Sequence, residues 1–148
     1  TACRIGGLTS HLSRENIDIL TSFGHSYGMA FQIVDDILDL VATDEQLGKP
    51  SGNDLMEGVY TLPVISAFSS DCGAQLKEIL GKKISVEERD KARALIRSSQ
   101  GVSEALARAQ FWTKEAASAL TELPDSEATE ALRAATTHLI QRASSPIV

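Results

Sequence analysis

Eight apolar side chains constrain this chain most strongly: Ile17, Leu20, Phe23, Tyr27, Phe31, Val34, Leu38 and Val41 recur three or four residues apart. That is the period of one helical face, and a strand would need alternation instead. Ser13 stands where an N-cap belongs, so the spacing predicts one long helix from there to about Ala42. Gly24 and Gly28 fall inside it. Each costs about 1 kcal/mol relative to alanine, so each is expected to permit a close approach.

The rest of the chain reads as helix after helix. Residues 1–8 read as the end of a helix, and residues 43–53 (TDEQLGKPSGN) as a loop broken by Gly48, Pro50 and Gly52. Asp54 with Glu57 suggests a capping box for a short helix, and another helix is expected near Thr61 with Pro63 in its first turn. Gly73 and Gly81 bound a further short helix. Ser85 with Glu88 is a second capping box, for a helix ending near Ser99 with Gly101 as its C′ residue. Ser103 starts a helix that breaks at Pro124, and Ser126 starts the last, which ends before Pro146. No stretch alternates strictly, so the fold class is all-α. Low aromatic content (5%) within a 43% hydrophobic chain agrees.

Charge and cysteine usage exclude several functions. Lys+Arg number 14 against 20 Asp+Glu, a net charge of −6, which argues against a nucleic-acid groove. No basic block suits an anionic membrane surface. The longest useful uncharged run, Ile19 to Val34, falls short of the roughly 20 residues of a transmembrane segment. Cys3 and Cys72 lack C-x-x-C spacing, which disfavours a disulfide framework or thiolate zinc site and fits a cytoplasmic protein. Thr1 opens in mid-pattern, so the chain is expected to be a piece of a longer protein.

The chemistry is concentrated between Phe31 and Pro63, FQIVDDILDLVATDEQLGKPSGNDLMEGVYTLP. With Gln32 at zero on a helix, Asp35 lies at about 300°, Asp36 at about 40° and Asp39 at about 340°, an arc of about 100°. Like charges one turn apart repel, and a mostly apolar helix makes the repulsion worse by desolvation. Cations against that face relieve it. Oxygen ligands without histidine or cysteine suit Mg²⁺, which completes its shell with water and phosphate. A solvated helix face is the competing reading of these aspartates. Lys49, between Gly48 and Pro50, offers a point charge for a phosphate, or is a simple loop lysine.

This window resembles the trans-polyprenyl diphosphate synthases (isoprenyl diphosphate synthases), whose second aspartate-rich region reads F-Q-x-x-D-D-x-x-D, then G-K-P, then D-L-x-x-G-x-x-T-L-P. The matching residues are Phe31, Gln32, Asp35, Asp36 and Asp39; Gly48, Lys49 and Pro50; and Asp54, Leu55, Gly58, Thr61, Leu62 and Pro63. ACRIGG near the start is similar to the family's segment after its lysine-threonine pair, and weaker similarity runs to the C-terminus. The resemblance implies a helical bundle of the isoprenoid synthase type. Residues 1–148 would be the C-terminal portion of one such domain, lacking the N-terminal half with the first aspartate-rich motif. One departure is Val59, where many members carry Lys or Arg.

The resemblance further implies a Mg²⁺-dependent prenyltransferase that condenses isopentenyl diphosphate with an allylic diphosphate into a linear trans-polyprenyl diphosphate, as a homodimer when full-length. By the same resemblance Asp35 and Asp39 bind Mg²⁺ and Asp36 orients a basic group beside the metal. Lys49 contacts the allylic diphosphate, Gln32 stabilises positive charge or contacts substrate, and Phe31 packs near the isopentenyl chain. This portion alone is expected to be inactive. A regulatory subunit of a two-component synthase and a related terpene synthase are the alternatives. Retained aspartates count against the first, and the G-K-P and D-L-x-x-G elements against the second. Phe23, Tyr27 and Trp112 read as packing residues, His11, His25 and His138 as ordinary surface or core histidines, and Glu87 and Glu88 as a solvated face.

Overall fold

A computed structural model describes residues 1–48 and 50–144. Among them the regular structure is helical: α1 (Ala2–Thr9), α2 (Arg14–Val41), α3 (Asp44–Leu47), α4 (Asn53–Glu57), α5 (Leu62–Ala67), α6 (Gly73–Ile79), α7 (Val86–Ser98), α8 (Gly101–Ala119) and α9 (Glu127–Ser144), with a 3-10 turn at Leu120–Glu122. The all-α expectation holds. The chain forms two compact units, one of residues 1–32 with 108–142 and one built on residues 33–107.

In the first unit, α2 starts as its sequence dictates. The Ser13 hydroxyl accepts the Asn16 N–H at 3.2 Å, and the Ser13 carbonyl takes the Ile17 N–H. The core gathers Phe23, Ala116 and Leu120, with Cys3, Tyr27 and Leu132 packed against it. Gly24 earns its place: a Cβ there would press on Cys3 at 3.1 Å, whereas Gly28 faces open space. Helix α1 closes on a Schellman turn. His11 takes φ +51°, its N–H reaches the Leu8 carbonyl, and the Leu12 N–H reaches that of Gly7. Trp112 sits half-buried with its ring edge-on to His25 and Phe111. Ser126 caps α9 through the Thr129 N–H, past the break at Pro124.

In the second unit, α4, α5 and α6 all pack on α7. Ile37, Leu40, Leu55, Val64, Leu76 and Ile96 are among its buried side chains. The Ser85–Glu88 capping box forms in full and starts α7. Three expectations change here. Gly101 is the first residue of α8, two residues before Ser103, and not a cap of α7. It is glycine because α5 comes so close that a Cβ would collide with the Pro63 carbonyl and touch the Ala67 Cβ. The Asp54–Glu57 capping box does not form: Gly52 is the N-cap of α4 and Asp54 lies inside the helix. The supposed loop at 43–53 contains α3, started by a complete Thr43–Gln46 capping box.

Candidate functional site

The aspartates occupy the last turns of α2, where the side chains part company. Asp35 is exposed, while Asp36 and Asp39 keep only 8% and 5% of their surface. The expected shared arc is thus not an evenly solvated acidic face, and Asp39 is engaged by the segment that follows. It folds back so that the Gly52 N–H donates to the Asp39 carbonyl at 2.7 Å and the Asp54 N–H to Asp39 Oδ2 at 3.4 Å. Asp39 Oδ1 is buried with no hydrogen-bond partner among the described residues. An ionised oxygen left that way is costly unless something else compensates it.

A helix ends with four carbonyls that its own N–H groups cannot reach. In α2 each is answered from outside. Gly52 takes Asp39. The Leu40 carbonyl accepts from Arg93 Nε at 3.1 Å and Arg97 Nε at 2.9 Å. Val41 accepts from an Arg97 Nη at 2.6 Å, and Ala42 from an Arg93 Nη at 2.9 Å. Both arginines lie one turn apart on α7. Their charge also suits the negative end of the helix dipole, which α2 meets with no basic residue of its own in its last turn. Burial, with Arg97 and then Arg89 adding repulsion, holds the Arg93 guanidinium below its usual range.

The loop after α2 is closed at its base by Asp44. Its Oδ1 accepts the Ser51 N–H at 2.8 Å and the Ser51 hydroxyl at 2.6 Å, and Ser51 is buried. Those two bonds, the hydroxyl first, hold the Asp44 carboxyl below the usual aspartate range, with Arg89 and Arg93 assisting. Gly48 ends α3 at φ +68° and Gly52 turns the chain at φ +71°. A Cβ on Gly52 would lie 2.7 Å from Arg93 Cδ, so the loop rests directly on the arginine stems. Lys49 lies outside the described residues.

Phe31 and Gln32 end the N-terminal stretch of the first unit, and both are exposed. Phe31 therefore leaves the core stripe in which its spacing put it. Ala30 and Ile33 are buried in their units instead. Val59 is exposed too. Sequence reasoning missed Asp44, Ser51, Arg93 and Arg97. The four-residue spacing of Arg89, Arg93 and Arg97 was a visible signal of a basic stripe on one helix face.

Among the described residues no three acidic, histidine or cysteine side chains cage a metal by themselves. The donors present nevertheless fit a hard cation bound sparingly: an exposed carboxylate at Asp35 and a buried, unpartnered oxygen at Asp39. Mg²⁺ uses one or two carboxylates in this manner and leaves the rest of its shell to water and phosphate. Among the described residues no helix is long and apolar enough to cross a membrane.

Comparison with known proteins converges on one family. The Polyprenyl synthetase family model matches residues 1–99. Heptaprenyl diphosphate synthase component 2 of Geobacillus stearothermophilus is 36% identical over 132 residues, covering 89% of this chain and 41% of that protein. Geranylgeranyl diphosphate synthase of Methanosarcina mazei is 45% identical over 92 residues, covering 62% of this chain and 28% of that protein. Among solved structures, geranylgeranyl pyrophosphate synthase from Corynebacterium glutamicum, complexed with calcium and isoprenyl diphosphate, superposes with a TM-score of 0.84 at 36% identity. That match covers 95% of this chain and 44% of that one. The chain spans less than half the length of each of these relatives.

Proposed function

The chain belongs to the polyprenyl synthetase family, and from that premise we propose that it carries the second aspartate-rich part of a prenyltransferase that extends an allylic diphosphate by one isopentenyl unit. The observation that carries the reading is the end of α2, where an exposed Asp35 and a buried Asp39 oxygen with no partner among the described residues precede a loop closed at its base. In the reaction the allylic carbon–oxygen bond breaks, the isopentenyl double bond attacks the allylic cation, and a proton leaves to the departing diphosphate. The product is a linear trans-polyprenyl diphosphate.

Mg²⁺ at Asp35 and Asp39 would supply Lewis-acid stabilisation of the charge that grows on the leaving diphosphate. Asp36 orients a neighbouring basic group rather than holding the metal itself. Lys49 contacts the allylic diphosphate as a point charge. The Gln32 side-chain oxygen faces developing positive charge, and Phe31 offers an apolar face to the isopentenyl chain. The Asp44–Ser51 closure shortens the free length of the loop that bears Lys49, which lowers the entropy lost on binding. The first set of carboxylates belongs to a further segment of the protein, and the whole acts as a homodimer. The name "component 2" carried by the Geobacillus stearothermophilus relative makes a second, different subunit the other arrangement to test.

The test is incorporation of radiolabelled isopentenyl diphosphate into extractable polyprenyl product by the full-length protein, with Mg²⁺ and with chelator. Elongation is expected only with Mg²⁺, and the 148 residues alone should be inactive. Lys49→Ala should lose about 2–4 kcal/mol of combined allylic binding and ionisation, with isopentenyl diphosphate binding unchanged. Failure of the full-length protein to elongate any allylic diphosphate would remove the reading.

A further inference from the structure

Arg93 and Arg97 each give two hydrogen bonds to the end of α2, and the reaction above assigns them nothing. Their side chains reach 51 to 57 residues back along the sequence to the end of α2. Each spans two carbonyls with two N–H groups, a geometry that a guanidinium fork provides and an ammonium does not. Arg93 keeps only 12% of its side-chain surface, so its desolvation is compensated locally, by those carbonyls and by Asp90 at 3.9 Å. The same stem supports Gly52, whose N–H holds the Asp39 carbonyl. Backbone at the aspartate end of α2 thus rests on Arg93 and Arg97, and backbone at the start of α4 on the stems of Arg93 and Arg89, with Arg93 common to both.

A free anion in the adjoining cleft is a weaker explanation. That cleft of about 400 Å³ is lined by Arg89, Arg93 and Arg97, but also by Asp44 and Asp90. The helix end adds roughly half a negative charge, so little positive charge remains for a ligand.

We propose that Arg93 and Arg97 are positioning residues: together they terminate α2, and Arg93 also supports the turn at Gly52, so that the carboxylates at the end of α2 hold one geometry before any ligand binds. They touch neither substrate nor metal. The consequence for turnover rests on the prenyltransferase reading, whereas the consequence for backbone order does not.

The experiment uses full-length protein with Arg97→Met, Arg93→Met and Arg97→Lys. Amide hydrogen exchange of the metal-free proteins is measured first. Residues 39–57 should lose protection by about tenfold or more in each methionine variant, the scale of a charge-assisted hydrogen bond, while α9 keeps its protection. Loss spread evenly over the chain, or no loss, would overturn the proposal. Steady-state kinetics follow. The same variants should lower kcat by about tenfold and leave the KM for isopentenyl diphosphate within about twofold, because charge stabilisation in the transition state depends on preset geometry. Arg97→Lys should restore melting temperature more than kcat, since charge returns without the fork. Local loosening with wild-type kcat would overturn the positioning role. If the unmodified protein elongates nothing, the prenyltransferase reading fails, and the exchange result alone decides whether the arginines order the segment.

Discussion

The two ends of α2 are closed by different means. At the N-terminal end one hydroxyl, Ser13, three residues from its partner, satisfies an orphan N–H. At the C-terminal end the carbonyls of Asp39, Leu40, Val41 and Ala42 are met by Gly52 and by two arginines of α7. A local cap stabilises a helix wherever it is placed. A cap delivered from another helix also fixes where the helix end lies relative to its surroundings. The second arrangement belongs where position matters, and the aspartates are at that end.

The largest effect should come from breaking the chemistry at the C-terminal end. Asp35→Ala in the full-length protein should lower kcat by about 100-fold, near 3 kcal/mol, and raise KM much less. Asp36→Ala should be milder, because in this reading Asp36 orients a neighbouring group and does not itself hold the metal. Steady-state kinetics with both substrates varied would show it. Equal, negligible effects would leave both aspartates without a part in the chemistry.

A smaller effect follows from breaking the packing without touching a charge. Gly52→Ala forces a Cβ onto a residue at φ +71° and against the Arg93 and Arg89 stems. It should cost about 1–3 kcal/mol in a denaturant titration. Ser13→Ala at the other end should cost about 1 kcal/mol, with exchange rising only in the first turn of α2. A Gly52 variant as mild as the Ser13 variant would mean that the two ends are held alike.

What the residues disclose beforehand follows the same division. The long helix, the Ser85–Glu88 box, the Ser126 cap and the break at Pro124 rest on signals within a turn or two, and each is where the sequence puts it. Asp54–Glu57 has the same local signature as Ser85–Glu88 and fails, because the Asp54 N–H is engaged by Asp39, fifteen residues away. Gly101 has the look of a helix terminator and is a contact glycine, since α5 approaches it. Phe31 keeps the helical period yet faces outward, and His11 takes a left-handed turn usually given to glycine. The family signature located the aspartates by spacing alone. It carried no information about Arg93, Arg97 or the Asp44–Ser51 closure, which exist only once the helices have packed.

The smallest expected effect sharpens the comparison by titration. Two hydrogen bonds from Ser51 hold the Asp44 carboxyl below the usual aspartate range. A carboxyl depressed in the folded state contributes stability that is fully present above the unfolded value and fades as pH falls through the lower, folded one. The Asp44–Ser51 closure should therefore survive at pH 5 and weaken below about pH 4. Asp44 is exposed, so global stability should hardly register the loss. The Ser51 amide should register it, because its N–H donates to the carboxylate that is being protonated. Ser13 offers only a hydroxyl, which does not titrate, so the Asn16 amide at the other end of α2 serves as the internal control. Amide chemical shifts followed from pH 6 to pH 3 should show a Ser51 transition that Asp44→Asn abolishes, with no matching transition at Asn16. Parallel transitions at both amides would mean that acid acts on the whole helix, and the difference between its two ends would lose its electrostatic basis.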